Sequence, residues 1–86
     1  MPYRLIILKP AQKQLDNLAP SIRLRIIPRI IALAENPRPP GCVKMAGYQD
    51  EYRIRIGDDR VRYEVIDKES LVQVLSCKHR KDAYKD

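Results

Sequence analysis

The chain has 86 residues, 44% apolar and 33% charged, and its 17 Lys and Arg against 11 Asp and Glu leave a net charge of +6 at pH 7. That length supports one hydrophobic core and excludes a second domain, so residues 1–86 are read as a single domain. The longest apolar runs, Leu5–Leu8 and Ile30–Ala34, fall far short of the roughly 18 residues of a membrane span or the roughly 7–15 of a signal-peptide core. A soluble, cytoplasmic protein with no membrane partner is expected, and its positive charge suits a polyanion or an acidic protein. Cys42 and Cys77 stand alone in unlike contexts and read as two buried free thiols. With the single His79 they fall short of a tetrahedral metal site, so no metal is expected.

In chain order, Tyr3–Leu8 is short and rich in Ile and Leu, and Lys9-Pro10 closes it, which predicts a strand. Ala11, Leu15 and Leu18 recur at helical spacing until Ala19-Pro20 ends the run, which predicts a short amphipathic helix. Ser21 is placed to cap a second helix. Its apolar face would hold Ile22, Ile26, Ile27, Ile30, Ile31, Leu33 and Ala34, opposite Arg25, Arg29 and Ala32. Pro28 inside that pattern predicts a kink. The stretch from Asn36 to Asp50 opens with Asn36-Pro37-Arg38-Pro39-Pro40-Gly41 and reads as a surface loop.

From Tyr52 the period becomes two. Tyr52, Ile54 and Ile56 alternate with Arg53 and Arg55, a turn follows at Gly57-Asp58-Asp59, and Val61, Tyr63 and Val65 alternate with Arg60, Arg62 and Glu64. These are the arms of a hairpin. After a turn at Asp67–Ser70, Leu71–Cys77 is apolar on both faces, as a central strand would be, and a polar tail runs from Lys78 to Asp86. The sum is an α+β domain: strand, two helices, then a three-stranded antiparallel meander, with both helices on one face of a mostly antiparallel four-stranded sheet.

Side chains alternate across a strand, so if Ile54, Ile56, Val61, Tyr63 and Val65 face the helices, Arg53, Arg55, Arg60, Arg62 and Glu64 share the open face. An ordinary solvated sheet face, with Glu64, Glu51 and Asp50 as local partners, is one reading of that pattern. Phosphate binding is the other, because the hairpin carries four Arg and no Lys, and the planar guanidinium fork matches phosphate oxygens.

Taken in order, several strings resemble the RelE/ParE superfamily of toxins from bacterial toxin–antitoxin pairs over nearly the whole chain. They are Ala11, Leu15 and Leu18 on the first helix; Leu33-Ala34-Glu35-Asn36-Pro37 at the helix exit; Lys44-Met45-Ala46-Gly47; the hairpin from Tyr52 to Tyr63; and His79-Arg80-Lys81-Asp82-Ala83-Tyr84, one residue shorter in spacing than the family pattern. The resemblance implies a RelE-like fold and a ribosome-dependent endonuclease that cuts mRNA in the decoding site. It carries the family's catalytic positions onto Arg53, Arg55, Arg60, Arg80 and Tyr84, with Arg62, Lys44, Lys78 and Lys81 as further RNA-binding residues.

The implied chemistry is attack of an RNA 2′-hydroxyl on the adjacent phosphate, which needs charge stabilisation, a proton acceptor and a proton donor. Arg55 and Arg60 would stabilise the phosphate, Arg80 the leaving 5′-oxygen, and Tyr84 would stack on a base. RelE-type enzymes often have lysines where this chain has Arg53 and Arg55, and arginine is a poor base. His79, Glu51 and Glu64 are the candidate bases. No cofactor is implied. The expected partners are a cognate antitoxin in a hetero-oligomer, the ribosome and mRNA. Two alternatives stay open: a ParE-like inhibitor of DNA gyrase, and an inactive antitoxin-binding module.

Overall fold

A computed structural model describes residues 2–79. It contains β1 (Arg4–Ile7), α1 (Lys9–Asp16), α2 (Pro20–Ala32), β2 (Val43–Lys44), β3 (Glu51–Ile56), β4 (Asp59–Ile66), a 3-10 turn at Asp67–Glu69, and β5 (Leu71–His79). The strands form one sheet in the order β1-β5-β4-β3-β2. Every neighbouring pair is antiparallel except β1 with β5, the first and last strands, which run parallel.

The α+β architecture is the expected one, with a fifth strand added to the expected four. The extra strand comes out of the segment read as loop. Cys42 N–H donates to the Pro39 carbonyl at 3.1 Å in a turn through Gly41, whose φ is 91°. Val43 and Lys44 then run extended opposite Arg53 and Tyr52. Strand β3 would otherwise expose a row of unpaired backbone groups, and the passing chain pairs with its first half, from Glu51 to Arg53.

Both helices start at a proline. Pro10 and Pro20 occupy the first turns of α1 and α2, where the missing N–H has no intrahelical partner to lose. Helix α2 is therefore capped by Ala19, with no side-chain hydrogen bond, and not by Ser21. It continues through Pro28 as one element. Pro28 and Leu24 both lie on the exposed outer side, so the Leu24 carbonyl that lacks a proline N–H faces water.

The core joins Ala11 and Leu15 of α1 and Ile26, Ile30 and Leu33 of the α2 region to Ile54, Ile56, Val61, Tyr63, Val65, Val72, Val74 and Cys77 of the sheet. Helix α2 buries a narrower stripe than its composition predicts. Ile27 and Ile31 remain 41% and 58% exposed, and Leu24 77%. Cys77 is buried, whereas Cys42 is only half-buried.

The hairpin turn is two residues long, since Ile56 pairs with Asp59. Gly57 has φ 61°, the positive first position that a type II′ turn assigns to glycine. Strand β5 carries an irregularity the sequence does not announce. Tyr63 pairs with Val74 and Arg62 with Ser76, which leaves Leu75 without a partner as a β-bulge. Beyond the bulge the alternation reverses: Cys77 pairs with Val61 and His79 with Asp59 on the helix side, while Ser76 and Lys78 pair with Arg62 and Arg60 on the open side.

Candidate nucleic-acid interface

Among the described residues no helix lies on the second face of the sheet, and the register fixes the composition of that face. Arg53 stands opposite Arg62, and Arg55 opposite Arg60, so two cross-strand pairs of arginines occupy successive same-face positions of one hairpin. Lys78 extends the row onto β5 beside Arg60. The reverse faces of the same strands are buried at Ile54, Ile56, Val61 and Tyr63. The core thus holds the backbone that presents these cations, and the face and its charge are those the alternation predicts.

Not all of that charge is equally available. Arg62 Nη2 donates to Glu51 Oε2 at 2.7 Å, and the Glu51 side chain is only 8% exposed. The Arg62 guanidinium also lies 5.8 Å from the centre of the Tyr48 ring. Glu51 and Arg62 therefore neutralise each other at the end of the hairpin far from the turn. Arg55 Nε donates to the Gly57 carbonyl at 3.0 Å, an exposed contact that aims its guanidinium along the hairpin tip.

Several candidate residues lie elsewhere. Lys44 pairs with Tyr52 on the helix side, where its ammonium lies 5.3 Å from the Tyr52 ring centre and donates to the Gln49 carbonyl. His79 also lies on the helix side, through its pairing with Asp59. Glu64 shares the arginine face and stands opposite Glu51, about 13 Å along the strand from the Arg55–Arg60 pair at roughly 3.3 Å per residue. Arg80, Lys81 and Tyr84 lie outside the described residues.

A polar clasp on the helix side ties the loop after α2 to the sheet. Arg38 Nη2 and Nη1 reach the two oxygens of Asp67 at 2.9 and 3.4 Å, and Arg38 Nε donates to Tyr52 Oη at 2.9 Å. Tyr3 Oη donates to Asp67 Oδ1 at 2.7 Å. The hydrogen bond from Arg38, helped by that from Tyr3, holds the Asp67 carboxyl below the usual carboxylate range, and the bond to Asp67 raises the Tyr3 hydroxyl. Tyr63 Oη donates to the Pro37 carbonyl at 2.7 Å inside the core, and burial pushes its hydroxyl up. Burial, with the nearby Asp59 carboxylate, pushes the Cys77 thiol up to about 11, which makes it an inert core group.

Arg38 and Asp59 were invisible as partners in the sequence. Arg38 sits in an aperiodic Pro-rich loop with no pattern to interpret. Asp59 did carry a signal, because it continues the alternation of Val61, Tyr63 and Val65 and so belongs on the core face, although its composition suggests a turn.

The described residues thus define a small α+β domain with its two helices on one sheet face and a row of arginines on the other. The family profile "ParE toxin of type II toxin-antitoxin system, parDE" matches residues 5–84. The presumed toxin RelE1 of Methanocaldococcus jannaschii is 30% identical over 100% of this chain and 99% of its own length. Among solved structures, RelE in the archaeal RelE–RelB complex of Pyrococcus horikoshii superposes with a TM-score of 0.82 at 33% identity, covering 93% of this chain and 97% of that one. A double arginine-to-alanine variant of Escherichia coli toxin RelE in the free state gives 0.80 at 27% identity, covering 98% and 90%. The chain belongs to the RelE/ParE superfamily, and it is a RelE-like toxin of a type II toxin–antitoxin system.

Proposed function

We propose that this toxin is a metal-independent endoribonuclease that cleaves mRNA in the decoding site of the ribosome and so inhibits translation. The observation that carries this reading is the Arg55–Arg60 cross-strand pair at the tip of the open face. Two arginines on backbones one strand spacing apart can bring their guanidinium groups together as a cradle for a phosphate whose negative charge grows as the 2′-hydroxyl attacks. Arg53 continues the cradle along the RNA backbone, and Arg62 and Lys78 flank it. Arg80 stabilises the leaving 5′-oxygen, and Tyr84 stacks on the splayed base. Lys44 and Lys81 make outlying RNA contacts.

Glu51 is buried and engaged by Arg62, Glu64 stands about four strand positions from the cradle, and His79 lies on the opposite face. The rate is accordingly assigned to in-line positioning and charge stabilisation by arginines rather than to a protein base at full strength. Gyrase inhibition of the ParE type receives less support, since the structures it resembles are RelE toxins and their RelB complexes.

The cognate antitoxin is the second partner, and the cytoplasm, where the ribosome is, the place of action. The P. horikoshii relative is a RelE–RelB complex. Here the exposed Leu24, Ile27 and Ile31 of α2, interleaved with Arg23, Arg25 and Arg29, suit an acidic amphipathic segment that folds on binding. Primer extension on a defined mRNA held on ribosomes, beside the same RNA free in solution, tests the activity. Cuts confined to the decoding-site codon and dependent on ribosomes are expected; no cut in either sample overturns the nuclease reading.

A further inference from the structure

We propose that Asp59 and His79 form a cross-strand clamp that holds the end of β5 on β4 and thereby fixes Arg60 in the phosphate cradle. Asp59 is 1% exposed, and its Oδ1 makes no hydrogen bond among the described residues. His79 Nδ1 lies 3.4 Å from that oxygen, with the His79 side chain 39% exposed. The two residues are direct register partners at the last rung of the β4–β5 ladder. A buried carboxylate is costly unless a donor or cation meets it, and His79 is the side chain placed to do so. It stands there only because the bulge at Leu75 turns it to the helix side.

The rung next to this clamp is the Arg60–Lys78 pair, on the opposite face. Asp59 directly precedes Arg60, and His79 directly follows Lys78 and precedes Arg80. Strand ends fray by default, and here the frayed rung would be the one that carries the cradle. The clamp stands behind the site without touching RNA, which makes Asp59 and His79 positioning residues. A thiol–imidazole nucleophile is the wrong reading of the same neighbourhood, because Cys77 is 2% exposed and its thiol is pushed up. Metal binding fails as well, since no three His, Cys, Asp or Glu among the described residues converge on a metal position.

The activity arm of the test rests on the nuclease reading, whereas the exchange arm stands alone. In the full chain, amide hydrogen exchange at Arg60, Lys78 and His79 is compared among wild type, Asp59→Ala, His79→Ala, the double variant and His79→Asn, with the Val72 and Val74 amides reporting global stability. Each alanine variant is expected to speed exchange at the three end-of-strand amides about tenfold relative to Val72 and Val74. The double variant should add less than about twofold to either single, as coupled partners do. His79→Asn, which keeps a donor near the Nδ1 position, should restore protection. Unchanged end-of-strand exchange, or effects that simply add, would overturn the clamp. In single-turnover cleavage of ribosome-bound mRNA, Asp59→Ala and His79→Ala should lower the maximal rate about tenfold with half-saturation unchanged, and His79→Asn should recover it. Wild-type rates in both alanine variants would overturn the positioning role. A wild-type protein that makes no cut would overturn the nuclease reading and leave the clamp to be decided by exchange.

Discussion

Arg55 and Arg60 stand directly opposite each other across the β3–β4 hairpin, so their side chains leave backbones one strand spacing of about 4.8 Å apart. On the proposed reading this pair holds the phosphate under attack. Replacing either arginine with alanine should lower ribosome-dependent cleavage by about 10²–10³, the range for loss of one charge-stabilising donor. The far-ultraviolet circular dichroism spectrum should stay unchanged. Arg80→Ala and Tyr84→Ala should also reduce cleavage. Loss of folding in Arg55→Ala, whose side chain is exposed, would contradict the face assignment.

Salt dependence gives an independent reading of the same face. Each phosphate contact to single-stranded RNA contributes about 0.7 to the slope of log affinity against log salt concentration. Arg53→Ala should reduce the measured slope by about that amount. Lys44→Ala should reduce it less, because Lys44 lies beside Tyr52 on the helix side.

Tyr63 is fully buried and anchors the loop after α2 through the Pro37 carbonyl. Tyr63→Ala should cost about 3–5 kcal/mol in urea unfolding, the range for truncating a core aromatic. Tyr63→Phe keeps the ring and should cost about 1–2 kcal/mol for the lost hydrogen bond. Because the folded state raises the Tyr63 hydroxyl, its contribution is complete below the ordinary tyrosine range and is lost as pH rises above it. The alkaline fall in stability should be shallower in Tyr63→Phe.

Asp67 titrates with the opposite sign. Its carboxyl is held below the usual range by Arg38 and Tyr3, so its contribution is complete above the ordinary carboxylate range and is lost as pH falls through its lowered value. Thermal melts between neutral pH and pH 3 should show a smaller acid loss for Asp67→Asn than for wild type. Arg38→Ala should reproduce that flattening.

Antitoxin binding is predicted to use the outer side of α2. Leu24→Asp places a carboxylate at a side chain that is 77% exposed, so the fold should tolerate it. Affinity for the antitoxin, measured by calorimetry, should drop about tenfold or more, while cleavage by the free toxin stays at the wild-type rate.

The parts of this protein that sequence reveals are those governed by periodicity. The alternation through Arg53, Arg55, Arg60 and Arg62 assigns the charged face because the core admits Ile54, Val61 and Tyr63 and nothing polar in their place except where a partner is supplied. Helix starts were less legible. Ser21 has the better capping chemistry, but Pro20 imposes its backbone angle one residue earlier. Strand β2 has no apolar pattern at all, since Val43 and Lys44 are both exposed, and it exists because β3 offers an open edge. His79 and Lys78 were unassignable to a face, because one unpaired residue decides the parity of everything after it and leaves no compositional trace.

The bulge at that unpaired residue, Leu75, decides which side chains the end of β5 lends to each face of the sheet. Excising Leu75 would leave the pairing of Ser76 to His79 as it is, whereas a strand that alternated straight through Leu75 would exchange every later face: Lys78 would turn toward the helices, and Cys77 and His79 would enter the row of arginines. A one-residue slip that absorbed the bulge into the ladder would thus bring an imidazole among the arginines and withdraw the partner of a buried acid in the same stroke. The bulge thus keeps the partner of Asp59 and the cationic row on opposite sides of one strand.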